Sequence, residues 1–224
     1  MLDWSAIETV FLDLDGTLLD LQFDNHFWHT HVPRRFAERF DLAPEDAKTR
    51  LLARYKAMEG TLEWYCLDYW SRELGLDLVE LKREVEHLIA VHPHVVPFLR
   101  SLRTLGKRVV LTTNAHAKSL AIKLTRTGLD TYFDTVICAH DFRTPKEDPD
   151  FWRRLDDHEP FLVEATLLVD DNVSVLQSAR THGIRYLYGV MRPDSGAPAR
   201  STAEFPMIRD FRDLMPPQAS ERSI

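Results

Sequence analysis

The apolar run Val10-Phe11-Leu12 ends in Asp13-Leu14-Asp15-Gly16-Thr17, and no other segment limits the possible folds so tightly. A buried strand that stops in Asp-x-Asp-Gly brings charge to one end of a sheet. Successive strand side chains point to opposite faces, so Asp13 and Asp15 are expected on the same face, with Leu14 turned back into the core. Gly16 lets the chain turn where a Cβ would interfere. Two carboxylates held close together repel unless a cation joins them or one takes a proton. That geometry suits Mg²⁺, with one carboxylate left free to attack phosphorus.

Beyond residue 93 short apolar runs alternate with helical patterns. Strands are expected at Arg108 to Thr113, Thr135 to Ala139, Thr166 to Asp170 and Ile184 to Tyr188. Helices are expected from Ala117 to Arg126, from Pro149 onward and from Ser174 to His182, with Gly128 and Gly183 closing the first and last of these. Strands that are apolar throughout, interleaved with helices, predict a doubly wound parallel α/β sheet buried on both faces. Residues 20–92 differ in kind. Leu51, Leu52, Tyr55 and Met58 repeat at helical spacing, as do Leu78, Leu81, Val85, Leu88 and Ile89, and no strand pattern appears. The expected organisation is a core of residues 1–19 and 93–224, with a helical cap of residues 20–92 inserted after the first strand. Ligands of open α/β sheets bind at the carboxyl ends of the strands, so a cap inserted there is placed to be a lid.

The partners that composition disfavours follow from charge and hydropathy. The 224 residues carry a net charge of −7, and no basic block is long enough to suit a nucleic-acid polymer. No apolar run reaches the ~18 residues of a membrane span. Cys66 and Cys138 have no metal-binding spacing and fit reduced thiols. The N-terminus lacks the basic and apolar regions of a signal peptide, so the expectation is a cytoplasmic protein, with a monomer as the simplest assembly.

Three further elements follow later strands. Thr112-Thr113-Asn114 closes the strand RVVL, where hydroxyl and amide groups can donate to phosphate oxygens. Lys146 stands in Thr144-Pro145-Lys146-Glu147-Asp148. Asp170-Asp171 ends the strand TLLV, and adjacent acids at a buried strand end are costly unless they bind a cation.

In this order the four elements DLDGT, TTN, PK and VDD resemble the motifs of the haloacid dehalogenase superfamily of phosphatases, over essentially the whole chain. The strings FDNHFWHTHVP, LEWYCLDYWSRELGLD, LTTNAHAKSLAIKLTRTGLD, PKED and RPDSG resemble its bacterial GMP/IMP nucleotidase branch. The resemblance implies a Rossmann-like core and Mg²⁺-dependent hydrolysis of purine nucleoside 5′-monophosphates. It implies Asp13 as nucleophile and Asp15 as general acid and base. Lys146 would neutralise nucleophile and phosphate. Asp171 would be a metal ligand with Asp170 beside it, joined by Asp13 and by the main-chain carbonyl of Asp15. Thr113, which directly precedes Asn114, would supply the phosphate-binding hydroxyl, with Asn114 beside it. Some relatives carry a further acid four residues after the motif-four Asp, where this chain has Val175.

Substrate choice is expected in the cap and the segment entering it. Phe23, Asp24, Asn25 and Trp28 follow the first motif closely. The rings could stack on a purine while Asp24 or Asn25 bonds its edge, or Phe23 and Trp28 could simply pack the core of the lid. Trp64, Tyr65, Tyr69 and Trp70 fit helix core, and the scattered histidines, His92 and His94 included, fit structural or solvated roles. Two other readings remain open. One is a small sugar-phosphate or phosphoglycolate phosphatase, since the four motifs handle only phosphate. The other is a non-catalytic phospho-ligand-binding protein on the same scaffold.

Overall fold

The computed structural model describes residues 2–216. Six parallel strands form one sheet: β1 (Thr9–Leu12), β2 (Arg108–Thr113), β3 (Thr135–Cys138), β4 (Thr166–Val169), β5 (Tyr186–Val190) and β6 (Met207–Ile208). Their spatial order is β3-β2-β1-β4-β5-β6. The chain runs outward from β1 in one direction through β2 and β3, then returns to β4 on the other side. The crevice at this reversal is where open α/β sheets bind ligands.

Alternate residues of each central strand enter different cores. Val10, Leu12, Val109, Leu111, Leu167 and Val169 pack on one face, and Phe11, Val110 and Leu168 on the other. Both faces are therefore dry, which explains strands without a polar side. Between β1 and β2 run α1 (Gln22–His26), a π-helical turn (Phe27–His31), α2 (Val32–Phe40), α3 (Pro44–Met58), α4 (Leu67–Leu74) and α5 (Leu78–Glu84). Their apolar residues, including Phe23, Phe27, Leu51, Trp70 and Leu78, are continuous with the first sheet-face core. The remaining helices are α6 (Val95–Thr104), α7 (Ala117–Thr127), α8 (Ala139–Phe142), α9 (Pro149–His158) and α10 (Val173–His182). No helix among the described residues is long and apolar enough to cross a membrane.

The segments leading into and out of the inserted helices lie side by side. Asp20 N donates to Ala90 O and His92 N to Leu18 O, each at 2.9 Å, around an antiparallel bridge between Leu19 and Val91. The Arg192–Gly196 loop holds this junction. Pro193 O accepts from Leu21 N at 2.8 Å and lies 3.1 Å from His92 Nε2, while Ser195 N donates to Asp20 Oδ1 at 3.0 Å. His92 is thus a junction residue, and His94 begins α6 with φ of 65°.

The expected strands at 135–139 and 166–170 each end one residue early, and the far side of the sheet differs more. The last expected strand begins at Tyr186 rather than Ile184, because Ile184 N is still bonded to Ala179 O at the end of α10. β6 has two residues, too few to show a period.

Candidate active site

The carboxyl ends of β1, β2 and β4 adjoin because Leu12 is in register with Leu111 and with Val169. One register step further on lie Asp13, Thr112 and Asp170, so three loops deliver polar groups to one cleft. Asp13 N donates to Val169 O at 3.0 Å, which keeps the first loop in line with β4. The regular strand stops at Leu12, and the chain turns through Gly16 at φ of 87°. A Cβ on Gly16 would lie 2.8 Å from both Cγ and Oδ2 of Asp171. Glycine is therefore required by backbone conformation and by the approach of the fourth loop.

Lys146 ties the cleft together. Its ammonium donates to Asp13 Oδ1 at 2.6 Å, Asp170 Oδ2 at 2.7 Å and Thr112 O at 3.0 Å, using all three protons. It is 1% exposed. Burial alone would lower its pKa, but the flanking Asp13 and Asp170 carboxylates outweigh that and raise it, so it stays cationic. Glu147 braces the loops from behind. Its carboxylate accepts from Asn114 Nδ2 at 2.9 Å, Asn172 Nδ2 at 3.0 Å and Tyr65 OH of the inserted helices at 2.6 Å. Asn114 Oδ1 accepts from Lys146 N at 2.9 Å. Both ends of the Asn114 side chain thus organise the loops where it lines the cleft. Thr113 Oγ1 accepts from Ala115 N at 3.0 Å and keeps its proton free to donate.

Asp13, Asp170 and Asp171 each offer an oxygen within 4.8 Å of the others. Asp13 Oδ2 is buried with no hydrogen-bond partner. Burial and the neighbouring Asp13 push Asp171 up to about 7, against the pull of Arg200, whose guanidinium donates to Asp171 Oδ2 at 2.9 Å. Burial likewise raises Asp170, opposed by Lys146. Three hard oxygen donors with an orphaned carboxylate oxygen among them fit a Mg²⁺ ion, which takes carboxylates and water. Val175, four residues after Asp171, is 1% exposed and packs in the second core.

Asp15 lines the same cleft but faces a different lysine. Lys123 Nζ of α7 lies 2.7 Å from Asp15 Oδ2 and 2.6 Å from Asp24 Oδ2, and Lys82 Nζ of α5 lies 2.7 Å from Asp24 Oδ1. Asp13 and Asp15 thus both line the cleft but contact different lysines, and β1 ends at Leu12, before either of them. Burial raises Asp15 to about 6 despite Lys123. Burial would raise Asp24 as well, but Lys123 and Lys82 outweigh it and hold that carboxyl at about 2.

A second chamber adjoins the cleft, sharing Asp15, Leu21, Tyr65 and Ala115 with it. It has a volume of about 240 Å³ and an aromatic wall that includes Trp28, Tyr55, Trp64 and Trp70. Asn25 and Trp28 reach this wall, and Asn25 Nδ2 also donates to Asp194 Oδ2 at 2.6 Å. Phe23 does not line it. Phe23 is 2% exposed and packs under the two lysines, with Lys82 Nζ 4.7 Å from its ring centroid. Asp24 lines the wall, and each of its oxygens accepts from a lysine. Trp64, Tyr65 and Trp70, expected only as core, form the wall, since here the core of the helical insertion is the lining of the chamber. Sequence reasoning also missed Glu147, Arg200, Lys82 and Lys123.

A family profile described as haloacid dehalogenase-like hydrolase matches residues 7–183. The GMP/IMP nucleotidase YrfG of Escherichia coli is 40% identical over 213 residues, which is 95% of this chain and 96% of that protein. A phosphorylated carbohydrates phosphatase of Thermotoga maritima is 24% identical over 195 residues, 83% of this chain and 86% of its own length. Among solved structures, a HAD phosphatase from Thermococcus onnurineus superposes with a TM-score of 0.79 at 23% identity, covering 93% of this chain and 96% of its own, a likeness of fold.

Proposed function

The chain belongs to the haloacid dehalogenase-like hydrolases, and from that footing we propose that it is a Mg²⁺-dependent phosphomonoesterase. Its substrates in this reading are purine nucleoside 5′-monophosphates, GMP and IMP among them. The observation that carries the substrate class is the aromatic chamber opening onto the carboxylate cleft. Its two lysines are already neutralised within the wall by Asp24 and Asp15. Burial holds its histidines, His29 and His116, below their ordinary pKa. Among the described residues, the wall thus has no spare cation for a leaving group with its own carboxylate, such as glycolate. A flat, uncharged, aromatic group fits it.

In this reading the groups in the cleft divide the reaction between them. Asp13 attacks phosphorus and forms an aspartyl-phosphate. The bond from phosphorus to the ribose 5′ oxygen breaks, its electron pair leaves with that oxygen, and the proton of Asp15 goes to it. Water then adds to phosphorus and gives a proton to Asp15, while the bond to Asp13 breaks and releases phosphate. Lys146 holds Asp13 in position and offsets the negative charge gathered there. The Thr113 hydroxyl donates to a phosphate oxygen. Asp13, Asp170 and Asp171 would hold Mg²⁺, which when bound screens the repulsion between carboxylate and phosphate.

The test is phosphate release from GMP, IMP, AMP, UMP, phosphoglycolate and a hexose phosphate, with Mg²⁺ and with EDTA. EDTA-sensitive release favouring GMP and IMP is the expected result. Preference for phosphoglycolate or the hexose phosphate would overturn the substrate class and keep the phosphatase. No release from any of them by folded protein would overturn both.

A further inference from the structure

Among the described residues the carboxylate cleft is lined by two basic side chains, Lys146 and Arg200. Lys146 has no donor to spare, because its three protons go to Asp13, Asp170 and Thr112 O. Arg200 is built the other way. Its Nη2 donates to Asp171 Oδ2 at 2.9 Å, and among the described residues nothing else accepts from the guanidinium. Its side chain is 54% exposed, against 2% for Lys146.

The main chain beneath Arg200 is held in place. Arg200 N donates to Met191 O at 2.6 Å and closes the loop that follows β5, while Pro193 O of the same loop accepts from Leu21 N. An anchored backbone thus presents a half-exposed guanidinium at the mouth of the cleft. An ion pair this exposed adds little to stability, so the fold does not account for it. Charge does. Lys146 and a Mg²⁺ ion together balance Asp13, Asp170 and Asp171, and Asp15 is paired with Lys123. The phosphate dianion that a substrate brings then finds one uncommitted cation lining the cleft, which is Arg200.

We propose that Arg200 is a further substrate-binding residue, whose free N–H groups take the phosphate of the substrate as it enters the cleft. The inference rests on the phosphomonoesterase reading and names a phosphate contact outside the four strand-end motifs. A guanidinium suits the task because its planar fork can give two parallel hydrogen bonds to phosphate oxygens. Its length and exposure let it turn from Asp171 to an incoming anion without disturbing the buried groups behind it. Since it meets the phosphate and not the leaving group, it serves every phosphomonoester alike.

The experiment is Arg200→Met, with binding of inorganic phosphate measured by titration calorimetry at saturating Mg²⁺. Alongside it, kcat/KM is measured for IMP and for ribose 5-phosphate, and the Mg²⁺ midpoint is read from thermal unfolding of the substrate-free protein. The expected result is a Kd for phosphate raised about tenfold, the low end for a hydrogen bond between charged groups because the side chain is half exposed. The values of kcat/KM should fall by the same factor for both substrates. Arg200→Lys, which keeps the charge without the fork, should recover part of the affinity. An unchanged Kd for phosphate would overturn the proposal. Paired with a raised Mg²⁺ midpoint, that result would make Arg200 only a support for Asp171. A loss confined to IMP would overturn it too, by placing Arg200 at the leaving group. Failure of the underlying reading is seen separately, as wild-type protein that neither binds inorganic phosphate with Mg²⁺ nor releases it from either substrate.

Discussion

Lys123 Nζ and Asp15 Oδ2 are 2.7 Å apart, and the lysine side chain is 1% exposed. A buried cation at that distance favours the charged carboxylate. In the proposed reaction Asp15 must carry a proton when the ribose oxygen leaves, so kcat/KM falls as pH rises through its pKa. That pKa is about 6 in the metal-free protein, set first by burial and opposed by Lys123. Lys123→Met should therefore move the alkaline limb of the kcat/KM profile for IMP upward, by roughly one pH unit or more. A limb that stays where it is in wild type would show that Asp15 does not govern it.

Asp24 links that pair to the inserted helices. It is held at about 2 because the pull of Lys123 and Lys82 exceeds the cost of burial. Its folded pKa is depressed, so its contribution is full above the unfolded value of about 3.9 and is lost as pH falls towards 2. Asp24→Asn leaves Lys82 buried between the Phe23 and Phe27 rings without an anion. Removing one partner of a buried pair costs about 3–5 kcal/mol. Urea unfolding at neutral pH should show a loss of that order. The double variant Asp24→Asn with Lys82→Met should recover part of it, since the stranded charge is gone. Equal stability of single and double variants would mean that Lys82 finds water instead.

The parallel strands were legible because their apolar runs are unbroken, and both faces of β1 and β4 are buried. The acidic ends of β1 and β4 were legible for the converse reason, as charge following an apolar run. What surrounds them was harder to read. Lys123 and Lys82 fall at buried helical phase, Lys123 with Leu120 and Lys82 with Leu78. A lysine at such a position is a signal, but its partner comes from another element and cannot be found by spacing. Glu147 sits beside Lys146 in sequence, yet its bonds to Asn114, Asn172 and Tyr65 exist only once three loops and α4's lead-in meet. The aromatics after residue 60 fitted core by period, and period does not distinguish packed core from the wall of a chamber. Phe23 shows the reverse, since proximity in sequence to Asp15 put it under the lysines and not in the chamber.

Gly16 separates the first loop from the fourth. At φ of 87° a Cβ is strained, and it would also meet the Asp171 carboxylate at 2.8 Å. Gly16→Ala should cost about 1–2 kcal/mol from backbone conformation alone. It should also displace Asp171 and so weaken Mg²⁺ binding. Titration of Mg²⁺ against activity should show a raised half-saturation point, and chemical unfolding a lower midpoint. A variant with the wild-type Mg²⁺ requirement would remove Asp171 from the ligand set.

Metal binding and pH should be linked through Asp171. Its carboxyl is raised to about 7 by burial and by Asp13. The folded protein thus holds that proton more tightly than the unfolded chain, whose value is about 3.9. In the absence of metal the stability from this group is full below about pH 4 and is lost as pH rises through about 7. Mg²⁺ needs the deprotonated carboxylate, so its stabilising effect runs the other way. It should be small near about pH 5 and full by about pH 8. At a hundredfold excess over Kd the full effect is about 2.7 kcal/mol. For a chain of this size that corresponds to a rise in Tm of about 5–10 °C. Thermal scans with EDTA and with saturating Mg²⁺ at both pH values measure the difference directly. An equal rise at the two pH values would mean that the ion binds without displacing the Asp171 proton, and no rise at either would mean that Asp13, Asp170 and Asp171 do not hold it.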